Sequence, residues 1–188
     1  FEAGYTLATH FYSCMSGVTR RNCFRYAGVI ETAYLIDEMD VEIIADGIHL
    51  PAPLLKLIYK IKEADRIALI TDSIRAAGTN VTETIIGTKG GNGVRVIVED
   101  GVAKLPDRSS FAGSVATFDR LVRNMVNMAD VPLLEAVKMA SQTPANIIGL
   151  GNTKGSLIAG KDADIIIFDN DIQVQTTIVQ GKVIYNNQ

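Results

Sequence analysis

Two largely apolar runs, Val41–Ala45 (VEIIA) and Arg66–Thr71 (RIALIT), flank a helical stretch from Pro51 to about Ala64. Runs of this length, with few polar residues, suit buried strands, and a helix between two of them suits a parallel crossover. Upstream, Tyr5–Phe11 reads as a strand and Phe24–Asp37 as a helix. The order strand, helix, strand, helix, strand predicts an α/β fold built from parallel βα units. Pro51 is well placed near a helix start, where a missing N–H leaves no bond unmade.

Beyond Asp72 the pattern changes. Thr84–Gly93 is polar and glycine-rich, and then Val94–Glu99 and Val102–Leu105 flank Asp100-Gly101. Asp-Gly between apolar runs is a strong hairpin signal, because both turn positions need positive φ. Helices resume at about Val115–Met128 and Pro132–Ser141, with Leu133, Leu134, Val137 and Ala140 at core-facing spacing. From Gly155 the helical period disappears. Ala163–Phe168, Thr176–Gln180 and Val183–Tyr185 read as short strands, the last two joined across Gly181-Lys182. A boundary near Leu150–Gly155 divides the chain into residues 1–150 and 151–188.

A net charge of -3 gives no reason to expect nucleic acid or an anionic membrane as a partner. An anionic substrate would need a local cluster of basic groups. The longest apolar runs, such as Ile165–Phe168, are far too short to span a bilayer, and no signal peptide is visible at the start. Cys14 and Cys23 lie nine positions apart without metal-site spacing, which fits a reducing cytoplasm better than a disulfide framework. The chain opens at Phe1, without Met, in what reads as the middle of a structural unit, so a fragment is expected.

Chemistry concentrates at the strand ends. His10 and His49, the chain's two histidines, follow the first and second strands, and Asp72 ends the third. In parallel α/β folds, polar groups at the carboxyl ends of strands converge on one face, where sites are built. Singly, each has a structural reading: His10 as a hydrogen-bonded core residue, His49 as a turn residue, Asp72 as a helix cap. Together they suit metal-assisted amide hydrolysis. Imidazole is the commonest ligand for zinc-like ions, and a carboxylate beside an activated water can take its proton and pass it to the leaving amine. Arg20, Arg21 and Arg25 fit a solvated basic surface or a phosphate clamp equally well. "FAGS" (Phe111–Ser114) opens a helix whose first amides could bind an anion or a carbonyl oxygen.

The segments "ATHFYSCMS", Arg21, "IADGIHLP", "LITDSIRAAG" and "FAGS", in this order and spacing, resemble the N-acetylglucosamine-6-phosphate deacetylases. The tail "KGSLIAGKDADIIIFD…TTIVQGKVIY" resembles amidohydrolases generally. The resemblance spans essentially the whole chain. It implies the C-terminal part of a TIM-type (β/α)₈ barrel plus strands of a small β-sandwich built from both chain ends. By the same resemblance, His10 matches a ligand for a divalent metal such as zinc or iron, and Asp72 the catalytic acid/base. Arg21 and His49 match substrate-binding positions near the sugar phosphate, and Asp46, Gly47 and Ile48 lie in the same binding segment. Ser13 and Cys14 match a backbone-contacting pair that is commonly Asn-Ala. Phe111, Ala112 and Gly113 match a loop that contacts substrate. Arg21 is followed by Asn22-Cys23-Phe24 where relatives commonly have Glu-Pro-Gly. The family's metal glutamate and second histidine would lie upstream of His10, which corresponds to the sixth barrel strand. A homodimer with phosphate contacts across its interface is also implied. The competing expectations are another amidohydrolase acting on a related N-acetylhexosamine phosphate, and an inactive fragment or interaction module.

Overall fold

A computed structural model of the chain describes residues 1–88 and 90–187. Strand β1 (Leu7–Ala8) is followed by a small hairpin of β2 (Thr19–Arg21) and β3 (Phe24–Tyr26), then helix α1 (Val29–Leu35). Strand β4 (Asp40–Ile43), helix α2 (Ala52–Lys62) and a 3₁₀ turn (Ala64–Arg66) lead into β5 (Ile67–Leu69). β1, β4 and β5 form one parallel sheet in that order, as the buried runs predicted. All three residues of β5 are buried, as a strand covered on both faces requires. α2 lays Leu55, Ile58 and Lys62 against the core at intervals of three and four.

Lys62 is only 4% exposed, and its ammonium reaches the end of α1. Nζ donates to the carbonyls of Ile36 (2.8 Å), Ala33 (3.0 Å) and Asp37 (3.4 Å). Carbonyls at a helix C-terminus lack intrahelical partners and carry partial negative charge, so a cation suits them. Burial nevertheless holds the Lys62 pKa below its ordinary value.

An antiparallel sheet follows, with β6 (Glu83–Ile86), β7 (Val94–Glu99) and β8 (Val102–Lys104) in sequential order. The β7–β8 turn lies at Asp100-Gly101, with φ of 54° and 76°, as its sequence required. Three helices come next: α3 (Phe118–Ala129), α4 (Leu133–Ala140) and α5 (Gln142–Ile147). α3 buries Leu121, Val122, Met125 and Ala129 along one stripe and ends at Asp130 in the left-handed conformation. The chain closes with β9 (Ile165–Phe168), β10 (Val174–Val179) and β11 (Lys182–Asn186), an antiparallel sheet with β10 central. Ile172 from this last segment joins the same core as Leu121 and Met125, and Arg123 donates to the carbonyls of Asp171 and Ile172.

Several boundaries differ from the sequence reading. The helix expected from Phe24 begins at Val29, because residues 19–26 turn back on themselves with Asn22 and Cys23 at φ 48° and 73°. Within Thr84–Gly93, residues through Ile86 belong to β6, while Lys89 lies outside the described residues. Residues 115–117 precede α3 rather than beginning it. The Pro132–Ser141 helix is α4, and a further helix, α5, follows it directly. Cys14 and Cys23 are both free and exposed. Among the described residues, no helix is long and apolar enough to cross a membrane.

Candidate active site

His10 lies two residues past β1, in a stretch of unusual backbone. His10, Tyr12 and Cys14 have φ of 33°, 79° and 56°. Positive φ in a non-glycine residue costs about 1–3 kcal/mol and persists only where the surroundings enforce it. Here the enforcement comes from Phe11. Its side chain is 1% exposed, its N–H donates to the Glu42 carbonyl at 2.7 Å, and its ring meets Tyr12 and Tyr34 edge-on. Beside this anchor the Nδ1 of His10 is buried with no hydrogen-bond partner. Buried polar atoms are rarely left so, and a ring nitrogen without a partner is in the state a metal ligand needs.

The second strand end carries Asp46 and His49. Asp46 is 2% exposed. One carboxylate oxygen accepts from the amides of Ile48 (2.9 Å) and His49 (2.8 Å), and the other meets His49 Nδ1 at 2.7 Å. Burial pushes the Asp46 carboxyl up, but these hydrogen bonds, led by the His49 ring, outweigh it and leave its pKa below the ordinary value. Helix α3 fastens the segment from behind: Asn124 donates to the Ala45 carbonyl and Arg120 to that of Asp46. The other arm of Arg120 donates to the Gly101 carbonyl in the β7–β8 turn. Gly47 has a φ of 80° and lies so close to Met128 that a Cβ would stand 3.0 Å from its sulfur.

Asp72, three residues past β5, is exposed and also left-handed at φ 46°. A short parallel ladder holds it. Ser114 N donates to the Asp72 carbonyl (3.1 Å) and Ile74 N to that of Ser114 (2.9 Å). Ser73 Oγ adds a bond to the Ala116 carbonyl at 2.6 Å. This ladder makes the Phe111–Ser114 loop an extended neighbour of the Asp72 segment rather than a helix start, which explains the late beginning of α3. Gly113 (φ 91°) packs directly on Ile74, and Phe111 places its ring 4.9 Å from that of His49.

His10, the Asp46–His49 pair and Asp72 thus stand at the carboxyl ends of three adjacent parallel strands. The Phe111–Gly113 loop bridges the last two. Ser13 and Cys14 follow His10 directly, the Ser13 amide donating to the His10 carbonyl at 2.9 Å. Arg21 is on the exposed β2–β3 hairpin, its guanidinium 5.6 Å from the Tyr26 ring centre. Ser114 was noted from sequence only as the end of "FAGS", and Arg120 and Asn124 were not singled out. Arg120 and Asn124 look like ordinary polar positions of an amphipathic helix, and their targets are backbone carbonyls that carry no sequence signal.

The metal-ligand reading can be tested against the side chains. Unpartnered, buried His10 Nδ1 fits one ligand, yet among the described residues no three His, Cys, Asp or Glu side chains are grouped to hold an ion. The residues fit a share of a metal site. Two grooves, of about 450 and 440 Å³, lie elsewhere. One is lined by Asp40, Arg66 and Asn146 at the opposite end of the same strands, the other by Arg123, Leu133 and Ile172 beside the C-terminal segment.

Comparison with known proteins follows the same outline. A model of the amidohydrolase family matches residues 1–184. An N-acetylglucosamine-6-phosphate deacetylase of Lysinibacillus sphaericus is 36% identical over 182 residues, 97% of this chain and 44% of that protein. A crystal structure of the Pasteurella multocida N-acetylglucosamine-6-phosphate deacetylase superposes with a TM-score of 0.88 at 30% identity, covering 98% of this chain and 46% of the other. The chain therefore spans less than half the length of these relatives. A shorter Escherichia coli K12 protein, provisionally named an N-acetylgalactosamine-6-phosphate deacetylase, is 34% identical over 176 residues, 93% of this chain and 98% of that protein.

Proposed function

The chain belongs to the amidohydrolase family, and on that premise we propose that it carries the acid/base and sugar-binding half of an N-acetylglucosamine-6-phosphate deacetylase. The reaction is hydrolysis of the acetamide, giving glucosamine 6-phosphate and acetate. The observation that carries this reading is the alignment of His10, His49 and Asp72 at one end of a single parallel sheet. Residues 1–150 form part of a (β/α)₈ barrel, and residues 151–188 contribute strands to a β-sandwich. The remaining metal ligands come from polypeptide outside these residues. The assembled enzyme is a cytoplasmic homodimer that binds neither nucleic acid nor membrane.

His10, whose buried Nδ1 has no hydrogen-bond partner, would be one of the residues holding a divalent ion such as zinc or iron. Such an ion would acidify water strongly enough to supply hydroxide at neutral pH. Asp72, exposed and held by its backbone alone, accepts the proton of the attacking water and delivers it to the departing amine nitrogen. His49 and Arg21 hold the phosphorylated sugar, while the backbone at Ser13, Cys14 and Phe111–Gly113 lines its path.

Asp72→Asn in the intact enzyme tests this. Asn tolerates the left-handed backbone at this position as Asp does, so the ladder to Ser114 survives. It cannot accept the proton, and general acid–base catalysis is worth about 10²–10⁴-fold. The expected result is a kcat lower by that factor with substrate affinity and metal content kept. A variant with full metal and near-normal kcat refutes the assignment.

A second reading, the galactosamine epimer as substrate, is favoured by the Escherichia coli K12 relative, of which the chain spans nearly the full length. Comparing kcat/KM on the two N-acetylhexosamine 6-phosphates decides between them.

A further inference from the structure

We propose that Asp46 is a positioning residue, which fixes the His49 ring with its proton on Nδ1 and its Nε2 facing the substrate. This rests on His49 being a substrate contact, as proposed above, and adds the group that controls it. Asp46 is almost wholly buried and makes its contacts inside the protein, so it acts through another residue rather than on the sugar.

The geometry leaves one arrangement. Oδ1 of Asp46 is occupied by two backbone N–H donors, Ile48 and His49. Oδ2 faces His49 Nδ1 at 2.7 Å. An ionised carboxylate only accepts, so Nδ1 must donate. Both ends of the lock belong to one rigid turn, because the same three residues supply the carboxylate, the amides and the ring. Arg120 and Asn124 tie that turn to α3 through its carbonyls, which leaves the carboxylate free for His49. Phe111, 4.9 Å from the ring at 50°, limits its tilt from the other side. With Nδ1 engaged, Nε2 is the ring atom left to meet a ligand.

Asp46→Asn inverts the lock in a defined way. Two backbone donors at the Oδ1 position require the amide oxygen there, so the NH₂ group must take the Oδ2 position. It would donate to Nδ1, which then loses its proton, and the neutral ring carries hydrogen on Nε2 instead. A buried carboxylate that sets the tautomer of a working histidine shows the same logic in serine proteases.

The decisive experiment reads the ring directly by ¹⁵N NMR of the intact enzyme labelled at histidine. Nδ1 should be protonated in the wild type, and Nε2 alone in Asp46→Asn. This measurement needs no turnover, so it stands or falls separately from the deacetylase reading. A wild-type ring with bare Nδ1 overturns the proposal even if the variant cannot be folded. In binding assays, Asp46→Asn should weaken affinity for N-acetylglucosamine 6-phosphate about 10-fold, a typical cost of disturbing a supporting hydrogen bond. Turnover at saturation should change less than about threefold, since Asp72 and His10 are untouched. The same substitution made on top of His49→Gln should add less than about twofold. Equal losses in both backgrounds would mean that Asp46 merely supports the fold, and would overturn the assignment.

Discussion

Gly113→Ala should damage both stability and turnover, through contacts that can be read off one loop. Gly113 sits at φ 91°, where an alanine costs about 1–2 kcal/mol from backbone strain alone. Its new Cβ would lie 2.6 Å from Ile74 Cγ2, about 0.9 Å inside the ~3.5 Å separation at which carbon atoms attract. That methyl branches from the Ile74 Cβ, so it can yield only by leaving its rotamer or by moving the backbone. Overpacking of this kind typically costs about 1–3 kcal/mol. The two contributions together predict a loss of about 2–5 kcal/mol. Moving the backbone separates the ladder in which Ser114 holds Asp72 and Ile74, so the proposed acid/base shifts with it. Misplacement by about 1 Å can cost on the order of 100-fold in rate. Thermal unfolding, metal content and kcat of the intact variant should be measured beside those of Ile74→Ala and the double variant. Removing the Ile74 methyl relieves the clash but not the strain, so the double variant should recover at least about 1 kcal/mol relative to additivity. Strict additivity, or a single variant within about 0.5 kcal/mol and of normal kcat, would refute the reasoning.

Two further outcomes follow from individual side chains. Arg21→Ala should weaken binding of the phosphorylated sugar by about 10- to 150-fold, the equivalent of one charge-assisted contact, and leave unphosphorylated N-acetylglucosamine nearly unaffected. Equal losses for both sugars, measured by calorimetry, would remove Arg21 from the phosphate. Lys62→Met should lower stability by about 1–3 kcal/mol in denaturant titrations, because the α1 carbonyls of Ala33 and Ile36 lose a buried donor. Unchanged stability would mean that water or backbone rearrangement replaces it.

What could be read from the chain depended on how local each signal was. VEIIA and RIALIT announce buried strands because apolar residues dominate them, and Asp100-Gly101 announces a turn because its backbone needs are written in its residues. Asn22-Cys23 makes an equivalent turn without a glycine, so Phe24 looked like a helix start. β6 escaped notice because its register is set by its partner β7, about eight to fourteen residues away, and not by its own composition. In the site, His10, His49 and Asp72 were legible as strand-end residues, and the parallel sheet does bring those strand ends together. The Asp46–His49 bond was hidden in "DGIH", although an aspartate accepting from amides two and three residues on is familiar turn chemistry. Ser114 was hidden more deeply, since its ladder with Asp72 joins segments forty residues apart.

The left-handed backbone at His10, Tyr12, Cys14 and Asp72 bears on how this chain would respond to selection in the laboratory. Four such residues in two short loops place several kcal/mol of conformational cost where the proposed chemistry lies. A screen that rewards heat resistance alone would find glycine favourable at these positions, since glycine removes the steric cost of positive φ. At His10 and Asp72 that gain would delete the proposed metal ligand and the proposed acid/base themselves. Thermostable variants chosen without an activity assay should therefore accumulate changes in these loops and lose the proposed catalysis first.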